Sequence, residues 1–472
     1  MPKTTTPMTT TPMTTTPMTT TPMTTKRMTK TQGALALIAA TLWFAGCSKS
    51  PSASTTAAEP TTTTTVSADS SAALGAGAAK AEAVAAVAAV AKVPKQTVLI
   101  WHAYRDAERE GLDALVSQWN RLRDDIEIQA LAVPYDALID KTQVAIPRGN
   151  GPDLVIIAHD KIGIWARDGL IAPLGDFATP DRLRRFLPIT VKPLVFERAV
   201  YGLPLAFKSL AMFYNRALVE KPPATIAELV AVGKKLTNAA EGRFGLAYDA
   251  ADLYYHAAWL HAYGGSVFDD DRHALAIHSP EAIAAANAVA ALFKDDAILG
   301  KGMTGFIVTA TFNDGKVPFV FNGPWFINEI DPSVKWGVAP MPTAANGKPL
   351  APYLGSEALL LSAHTKVKNA ALTVLDYLTS DEAALTRLRV GHQMVANTKI
   401  YENPEWSKDP VVRIFRAQAD HAVAMSNSIE AGVAWAPYSN ALRRIIFAGA
   451  DADAALLQAD TAARAALEKM RK

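Results

Sequence analysis

Apolar positions follow two different patterns along the chain, and the change comes near residue 96. Beyond it, short apolar runs alternate with segments in which apolar side chains recur every three or four residues. The runs predict β-strands at 97–103, 126–133 and 153–160. The helical spacing predicts helices at 108–125, 135–146 and 161–170. Strand and helix alternate with Gly, Pro and Asp at the turns, which indicates a doubly wound α/β architecture.

One short strand in the later part of the chain ends in an unusual way. The helical pattern dominates from about residue 280, at 279–296, 367–380 and 438–450. Among these helices, Val317–Phe321 is an apolar run that predicts a buried strand, and Asn322-Gly323-Pro324 is strong turn chemistry. Trp325 follows the turn directly. The largest apolar side chain is thus predicted on a loop, where its burial is least assured.

Length and composition allow two folded lobes and argue against a nucleic-acid partner. The chain has 472 residues, of which 50% are hydrophobic and 19% charged, which is enough apolar material for a large core. Its 47 basic and 45 acidic residues nearly balance, without the concentrated basic stripe that nucleic-acid binding requires. The single cysteine, Cys47, leaves no intramolecular disulfide and no cysteine metal cluster.

The first hundred residues are predicted to lie outside the fold. Residues 4–23 repeat Thr-Thr-Thr-Pro-Met four times, a composition typical of disorder, and the repeat raises the alternative that Met28 is the true initiator. Lys26, Arg27 and Lys30 then precede the apolar stretch 33–46, which is too short for a membrane span of about 20 residues and is typical of a secretory signal. Residues 48–95, rich in Ser, Thr, Ala and Pro, are predicted to be a disordered tether.

The end of this signal resembles a bacterial lipoprotein signal. Its lipobox normally reads Leu, small, small, Cys, and here Phe44 takes the Leu position before Ala45, Gly46 and Cys47. The resemblance implies that Cys47 becomes the acylated N-terminus of a mature protein anchored in the membrane. The alternative is a chance cysteine in an ordinary signal or anchor.

The usual local signatures of catalysis and metal binding are missing. There is no Gly-x-Ser-x-Gly, His-Glu-x-x-His or Gly-x-x-x-x-Gly-Lys-Ser/Thr. The nine histidines show no metal spacing, and His256 and His261, five apart, are read as core or solvated side chains. We therefore expect no metal and no cofactor. A carbohydrate-active enzyme using Asp160, Asp252 or another carboxylate stays open, because paired carboxylates leave no local mark.

Four ordered segments resemble one family of binding proteins. They are 149–174 with its Gly-x-x-Pro-Asp strand and His-Asp-Lys loop, 201–218, 312–325 with Asn-Gly-Pro-Trp, and 336–343. Together they are similar to the maltose-binding-protein-like (family 1) solute receptors of ABC sugar transporters, over about residues 95–465. The resemblance implies a periplasmic-binding-protein-like type II fold, in which crossing strands join two α/β lobes and the ligand lies in the cleft.

The resemblance also implies lobe boundaries. The crossings would fall near 205–209, 355–359 and 397–401. The N-lobe would then comprise 96–206 and 358–397, and the C-lobe 207–357 and 398–472.

An exposed Trp325 has a function in such a cleft. A sugar ring has an apolar face of C–H groups, and an aromatic ring held rigidly against it gains dispersion and sheds water. Strand ends are where parallel-sheet folds bind ligands. The alternative is that Trp325 only caps the core.

The other candidates are carried over from the family position by position. Asp160 and Lys161 would grip sugar hydroxyls through charge-assisted hydrogen bonds, and Asp252 and Tyr254 match an acidic and a stacking residue. Trp435 and Tyr438, predicted on a loop before a helix, both offer a late-chain ring, and Arg443 matches a basic residue. For each of these residues the alternative is an ordinary surface or core position without a role in binding.

Three departures from maltose binders leave the ligand open. Ile157 stands where the family has a Trp, and Lys208 where it has a Glu. Tyr104, Arg105 and Asp106 replace an Asp-Lys pair and would occupy the rim of the cleft. With one stacking face lost and one charge inverted, a substituted sugar, a uronate or another disaccharide is as plausible as maltose.

The predicted function is an exported, lipid-anchored, monomeric receptor that closes on a carbohydrate and delivers it to an ABC permease without covalent chemistry. It would face the periplasm or the extracellular side. Two alternatives remain: the carbohydrate-active enzyme, and a two-lobed sugar sensor that signals to a membrane histidine kinase.

Overall fold

The computed structural model describes residues 95–269 and 274–471. The repeat, the signal with Cys47 and the tether lie outside these ranges. Within them, no helix combines the length and hydrophobicity that a membrane crossing requires.

Fourteen strands are described. In chain order they are β1 Gln96–His102, β2 Ile126–Ala132, β3 Leu154–Ala158, β4 Val195–Phe196, β5 Ala199–Val200, β6 Gly202–Lys208, β7 Ala211–Asn215, β8 Leu246–Ala247, β9 Phe268–Asp269, β10 Ala274–Leu275, β11 Phe319–Asn322, β12 Trp336–Ala339, β13 Tyr353–Leu361 and β14 Val423–Ala424.

The described α-helices number fifteen. They are α1 Asp106–Leu122, α2 Tyr135–Ala145, α3 Ile162–Arg167, α4 Pro180–Leu183, α5 Pro188–Val191, α6 Ile226–Leu236, α7 Leu253–Ala262, α8 Pro280–Lys294, α9 Gly305–Asn313, α10 Lys368–Leu378, α11 Asp381–Gly391, α12 Pro404–Ser407, α13 Pro410–His421, α14 Ile429–Ala448 and α15 Ala452–Arg471. Short 3₁₀ helices follow β3 at His159–Lys161 and β11 at Pro324–Glu329.

The first of two larger sheets has six strands. β1 pairs in parallel with β2 and β3, whereas β13 runs antiparallel to β3 and β6 and pairs with β14 at its start. Alternate residues of β3 enter separate cores: Leu154 and Ile156 pack on one face, Val155 and Ile157 on the other. Both faces are therefore covered, as the near-continuous apolar run of this strand predicts.

The second larger sheet has four strands in the order β12-β7-β11-β8. β7 is antiparallel to β11 and β12, and β11 is parallel to β8. We call the body around the six-stranded sheet the first lobe and the body around this sheet the second lobe; the residue boundaries given above stay a prediction.

The chain passes between the lobes along segments that are bonded to one another. β6 of the first sheet leads to β7 of the second through Ser209 and Leu210, both fully buried. Ser209 Oγ donates to the carbonyl of Tyr353 at the start of β13 (3.0 Å), and Phe207 N–H donates to the carbonyl of Met394 (2.7 Å). These hydrogen bonds tie the crossing segments into one connection.

Two local predictions differ from the structure. Residues 435–438 were expected on a loop, but α14 already begins at Ile429, with Ser428 Oγ accepting from Ala431 N–H (3.1 Å) at its start. Pro437 inside the helix lacks a backbone donor, and this break in the helical signal concealed the first turns. Trp325 lies in a 3₁₀ helix rather than on an irregular loop.

Candidate functional site

A cleft of about 690 Å³ opens where the two lobes meet. Six of the predicted binding residues line it: Asp160, Lys161, Lys208, Tyr254, Trp325 and Trp435. Six residues that the sequence did not single out complete its wall: Tyr135, Ala158, Gly355, Ser356, Glu357 and Met425. The volume lies within the roughly 300–1,000 Å³ range of small-molecule sites.

The position of Trp325 is set by the turn before it. Asn322, the last residue of β11, accepts a hydrogen bond at Oδ1 from Gly323 N–H (2.9 Å). The indole folds back over Gly323, where a Cβ atom would lie only 2.0 Å from the ring. Trp325 is half-buried against apolar residues of two core clusters. The turn therefore fixes the indole while leaving part of it open to the cleft.

A second ring extends this aromatic wall. Tyr254, in the first turn of α7, lies with its ring centroid 6.1 Å from that of Trp325 at an interplanar angle of 49°. The two rings are inclined to each other and lie on the second-lobe side. Such surfaces match the C–H faces of a sugar.

Trp435 completes the aromatic wall and lies close to Asp252. The Asp252 carboxylate accepts from Tyr254 N–H (2.8 Å) at the start of α7. Burial raises the pKa of Asp252, although this backbone hydrogen bond, the nearby indole of Trp435 and Arg443 act in the opposite direction. Asp252 thus caps the helix that carries Tyr254 and is not itself part of the lining.

The opposite wall is polar and begins where β3 ends. Asp160 and Lys161 form an ion pair of 2.6 Å, and each side chain is about a quarter exposed. His159, fully buried beside them, donates from Nε2 to the carbonyl of Met425 (2.7 Å) and accepts at Nδ1 from Ser356 N–H (3.0 Å). Burial lowers the pKa of His159, so the neutral ring fits both bonds. His159 anchors the loop that presents Asp160 and Lys161.

The floor of the cleft is a cluster of paired charges. Lys208 at the end of β6 forms an ion pair with Glu108 of α1. Burial lowers the pKa of Lys208, but the carboxylates Glu357 and Glu108 outweigh this and raise it overall.

Glu357, in the middle of β13, is held by two donors. Its Oε2 accepts from the hydroxyl of Tyr104 (2.7 Å) and from Nε2 of Gln393 (3.3 Å). Burial raises the pKa of the Glu357 carboxyl, and Lys208 opposes the shift. The cluster places a cation and a carboxylate side by side facing the cleft.

The structure does not bring all predicted residues to the cleft. Tyr104 was expected at the rim, but it is 3% exposed and supports Glu357 from behind. Arg105 and Asp106 are exposed at the start of α1 and do not line the cleft. The fold thus buries Tyr104 behind Glu357 and leaves Arg105 and Asp106 exposed at the start of α1.

The two remaining candidates on α14 also point elsewhere. Tyr438 is 0% exposed and packs into the core of the second lobe. Arg443 is exposed and donates to Asn440 Oδ1 (2.8 Å). Ile157, which stands where the maltose binders carry a Trp, packs in a core of the first lobe.

Some of the additional residues that line the cleft could have been predicted from the sequence, and others could not. Glu357 is a lone charge within the apolar run 353–361, and a carboxylate there needs a buried partner. Tyr135 and Met425 reach the cleft only through the packing of α2 and of the segment after β14. In the described ranges, no group of three His, Cys, Asp or Glu side chains could hold a metal ion.

A family model described as bacterial extracellular solute-binding protein matches residues 105–385, more than half of the chain. The maltotriose-binding protein of Pyrococcus abyssi is 30% identical over 357 residues, which are 74% of this chain and 77% of that protein. A maltooligosaccharide ABC transporter solute-binding lipoprotein of Streptococcus pneumoniae is 28% identical over 345 residues, 69% of this chain and 79% of that protein.

A similar solved structure is that of a cyclo/maltodextrin-binding protein complexed with maltotetraose. It has a TM-score of 0.72 at 26% identity and covers 80% of this chain and 99% of its own. This similarity confirms the predicted periplasmic-binding-protein-like type II fold.

Proposed function

The chain belongs to the bacterial extracellular solute-binding protein family, and from this premise we propose that it binds a neutral saccharide between its lobes and delivers it to an ABC permease. The family assignment made from four sequence segments is confirmed. Relatives whose names include maltotriose and maltooligosaccharide support a saccharide as ligand, and one of them is named as part of an ABC transporter.

One observation carries the proposal: the cleft has an aromatic wall and a polar wall that face each other. Trp325, Tyr254 and Trp435 belong to the first of these, and the Asp160–Lys161 pair to the second. A pyranose has C–H faces and a rim of hydroxyls, so it satisfies both walls together. A purely apolar solute would leave the charges unpaired, and that would cost free energy.

The charges favour a neutral ligand over a uronate. An unpaired Lys208 would favour an anionic ligand. Here Glu108 forms an ion pair with Lys208, and Glu357 lies close enough to raise the pKa of Lys208. Lys161 is paired with Asp160. An anionic sugar would have to displace one of these carboxylates, whereas a neutral sugar can accept from the cations and donate to the carboxylates without breaking a pair.

Binding is proposed to close the two lobes, with the N-lobe at 96–206 and 358–397 and the C-lobe at 207–357 and 398–472. A ligand that touches Asp160 on one side and Trp325 on the other makes both contacts only in the closed form. It therefore shifts the open–closed equilibrium by the difference between its affinities for the two forms.

The proposal also includes where the protein is located and that it leaves its ligand chemically unchanged. Cys47 would be acylated and would anchor a monomeric receptor at the outer side of the cell membrane, as the name lipoprotein of the Streptococcus pneumoniae relative supports. The protein is proposed to bind its ligand unchanged. Asp160 is engaged by Lys161, and Glu357 by Tyr104 and Gln393.

A thermal-denaturation screen of the full chain tests the proposal. The probes are maltose, maltotriose, a uronic acid, an amino sugar and a polyamine. A neutral saccharide at about one hundred times its dissociation constant should stabilise the fold by roughly 2.7 kcal/mol. Stabilisation by a charged probe alone would overturn the neutral-saccharide assignment, and shortened products in the same samples would identify an enzyme.

A further inference from the structure

A second cavity lies at the end of the first lobe that is opposite to the cleft. It measures about 200 Å³, and its lining includes Thr97 of β1, Asp153 before β3 and Ser362 after β13. β3 runs from this cavity to the cleft, because Asp153 precedes the strand and Ala158 ends it at the cleft wall. We call this end of the first lobe the pole.

Asp153 joins the segments of the pole to one another. Its Oδ2 accepts from Leu99 N–H (2.9 Å), and its Oδ1 accepts from the hydroxyl of Thr365 (2.5 Å). Its carbonyl accepts from Ser362 N–H (3.0 Å). Both carboxylate oxygens are thus engaged by neutral donors, so the one acidic side chain in the lining does not pair with a cation.

Basic side chains surround this cavity. Lys366 and His364 line it, and Arg148 and Lys368 directly adjoin lining residues in the chain. Lys95 comes immediately before β1. All five side chains are exposed, and none of them forms an ion pair with another residue of the described ranges.

The acidic residues at this end of the lobe lie on its other edge. Asp124, Asp125 and Glu127 belong to the start of β2, which β1 separates from β3 in the sheet. Asp125 already forms an ion pair with Arg123 (2.6 Å). The pole is therefore positive over β3 and β13 and more acidic over β2, and this polarity suits one orientation on an anionic surface.

We propose that the pole docks on anionic phospholipid headgroups of the membrane that carries the protein. The inference rests on the anchoring proposed above and goes beyond it, because it assigns a second, reversible contact with the membrane. Lys and Arg side chains next to a membrane anchor are attracted by an anionic lipid surface. Docking at the pole directs the cleft, at the other end of β3, away from the membrane and toward incoming ligand.

The position of the predicted tether supports the membrane as the partner. The tether, residues 48–95, enters the fold at the pole, because Lys95 leads directly into β1. A flexible coil of this length spans about 40 Å, so an anchor at Cys47 keeps the pole close to the bilayer. Linkage of this kind raises the effective concentration toward the millimolar range, and a weak affinity of the pole for lipid then suffices.

Hydrogen exchange of the full chain on vesicles tests the proposal. The two probes are vesicles of phosphatidylglycerol and vesicles of phosphatidylcholine. Backbone amides at 146–151 and 363–368 should exchange at least about fivefold more slowly on the anionic vesicles. This difference should disappear in about 0.5 M NaCl, which screens exposed charges. Because exchange is measured segment by segment, insertion of the apolar stretch 33–46 does not mimic docking of the pole.

Two triple variants identify the cations that act. The test variant neutralises three cations of the pole: Arg148→Gln, Lys366→Gln and Lys368→Gln. The control variant neutralises three exposed cations of the second lobe that form no ion pair with a described residue: Lys301→Gln, Lys335→Gln and Lys348→Gln. Both variants lose the same charge and should keep the melting temperature and saccharide affinity of the wild type. Only the test variant should lose the slowed exchange at the pole.

The other outcomes overturn the docking. They are equal exchange on the two lipids, the same loss in both variants, and slowed exchange at another surface in place of the pole. If inorganic phosphate alone, at the concentration of lipid phosphate, slows exchange at the pole equally, the site takes a small anion and not a membrane. A saccharide that stabilises a chain whose pole exchanges freely removes the docking and leaves the proposed function standing.

Discussion

The two walls of the cleft are built in different ways. On the first lobe, Lys208 and Glu357 are held by partners far away in the chain, and the loop that carries Asp160 is held by the long-range hydrogen bonds of His159. On the second lobe, Trp325 and Tyr254 are held by local features, a glycine turn and a helix start. The polar wall thus depends on long-range charge pairing, whereas the aromatic wall depends on short-range packing. Variants can separate the two dependences.

Removing an aromatic ring should have the largest effect on binding. Trp325→Ala deletes the main apolar contact with the ligand, and we expect a loss of about 2–3 kcal/mol, roughly 30- to 150-fold in affinity. Calorimetry with the best saccharide measures it. Trp406→Ala is the matched control, because Trp406 is also half-buried but lines a different part of the surface. Equal affinities of wild type and Trp325→Ala would remove this residue from the site.

Breaking the polar wall should act on stability as well as on binding. Lys208→Met leaves Glu108 and Glu357 close together without their cation. We expect the free energy of unfolding to fall by about 2 kcal/mol, less than for a fully buried pair because Lys208 and Glu108 are both partly exposed. Urea denaturation measures the change.

A second substitution tests whether charge is the cause. Lys208→Met combined with Glu108→Gln removes one of the two uncompensated carboxylates and should recover about half of the lost stability. If the double variant is no more stable than Lys208→Met alone, the loss comes from packing and not from charge pairing.

Acid should weaken the polar wall through His159. Its pKa is lowered in the fold, so the neutral ring stabilises the folded state above the ordinary histidine pKa of 6.5. That stabilisation is lost as the pH falls below 6.5 toward the lowered folded value. We therefore expect the free energy of unfolding to decline between pH 7 and pH 5, with His159 contributing to the loss.

The pH effect of His159 can be isolated by comparison. His102, His256 and His261 also have lowered pKa values, so the wild type alone does not identify the residue. Urea denaturation of His159→Gln should show a shallower decline between pH 7 and pH 5 than the wild type. The same pH slope in both proteins would assign the acid sensitivity to the other histidines.

The smallest predicted change concerns the glycine under the indole. Gly323→Ala introduces a Cβ atom where the Trp325 ring now lies 2.0 Å away, so the ring has to shift. We expect a loss of about 1 kcal/mol in saccharide affinity, roughly fivefold, with little change in the melting temperature. Gly305→Ala, in open space, should bind as the wild type does. An unchanged affinity of Gly323→Ala would mean that the turn does not position the ring.

The same contrast explains how much the sequence could predict. Trp325 was found because its signal is local: an apolar strand, a turn and then an indole. The strands and helices between 96 and 167 were predicted within a few residues, since apolar spacing is also local. The polar wall was predicted only in part. Glu357 reaches the cleft because of the register of β13 with β3 and β6, and this register joins segments that are far apart in the chain.

The wrong expectations have the same origin. Tyr104 and Tyr438 carry chemistry suited to a sugar site, and both are buried by their neighbours in the fold. Side-chain type predicts what a residue can do, whereas tertiary packing decides which way it faces. Pro437 conceals the helix that turns Trp435 to the cleft and Tyr438 to the core.

A crystal structure of the full chain with maltotriose tests the central claim most directly. The account predicts a sugar ring against the indole of Trp325, with its hydroxyls bonded to Asp160 and Lys161 across the cleft. A sugar bound elsewhere on the surface, or a crystal grown in saturating maltotriose with an empty cleft, would contradict it.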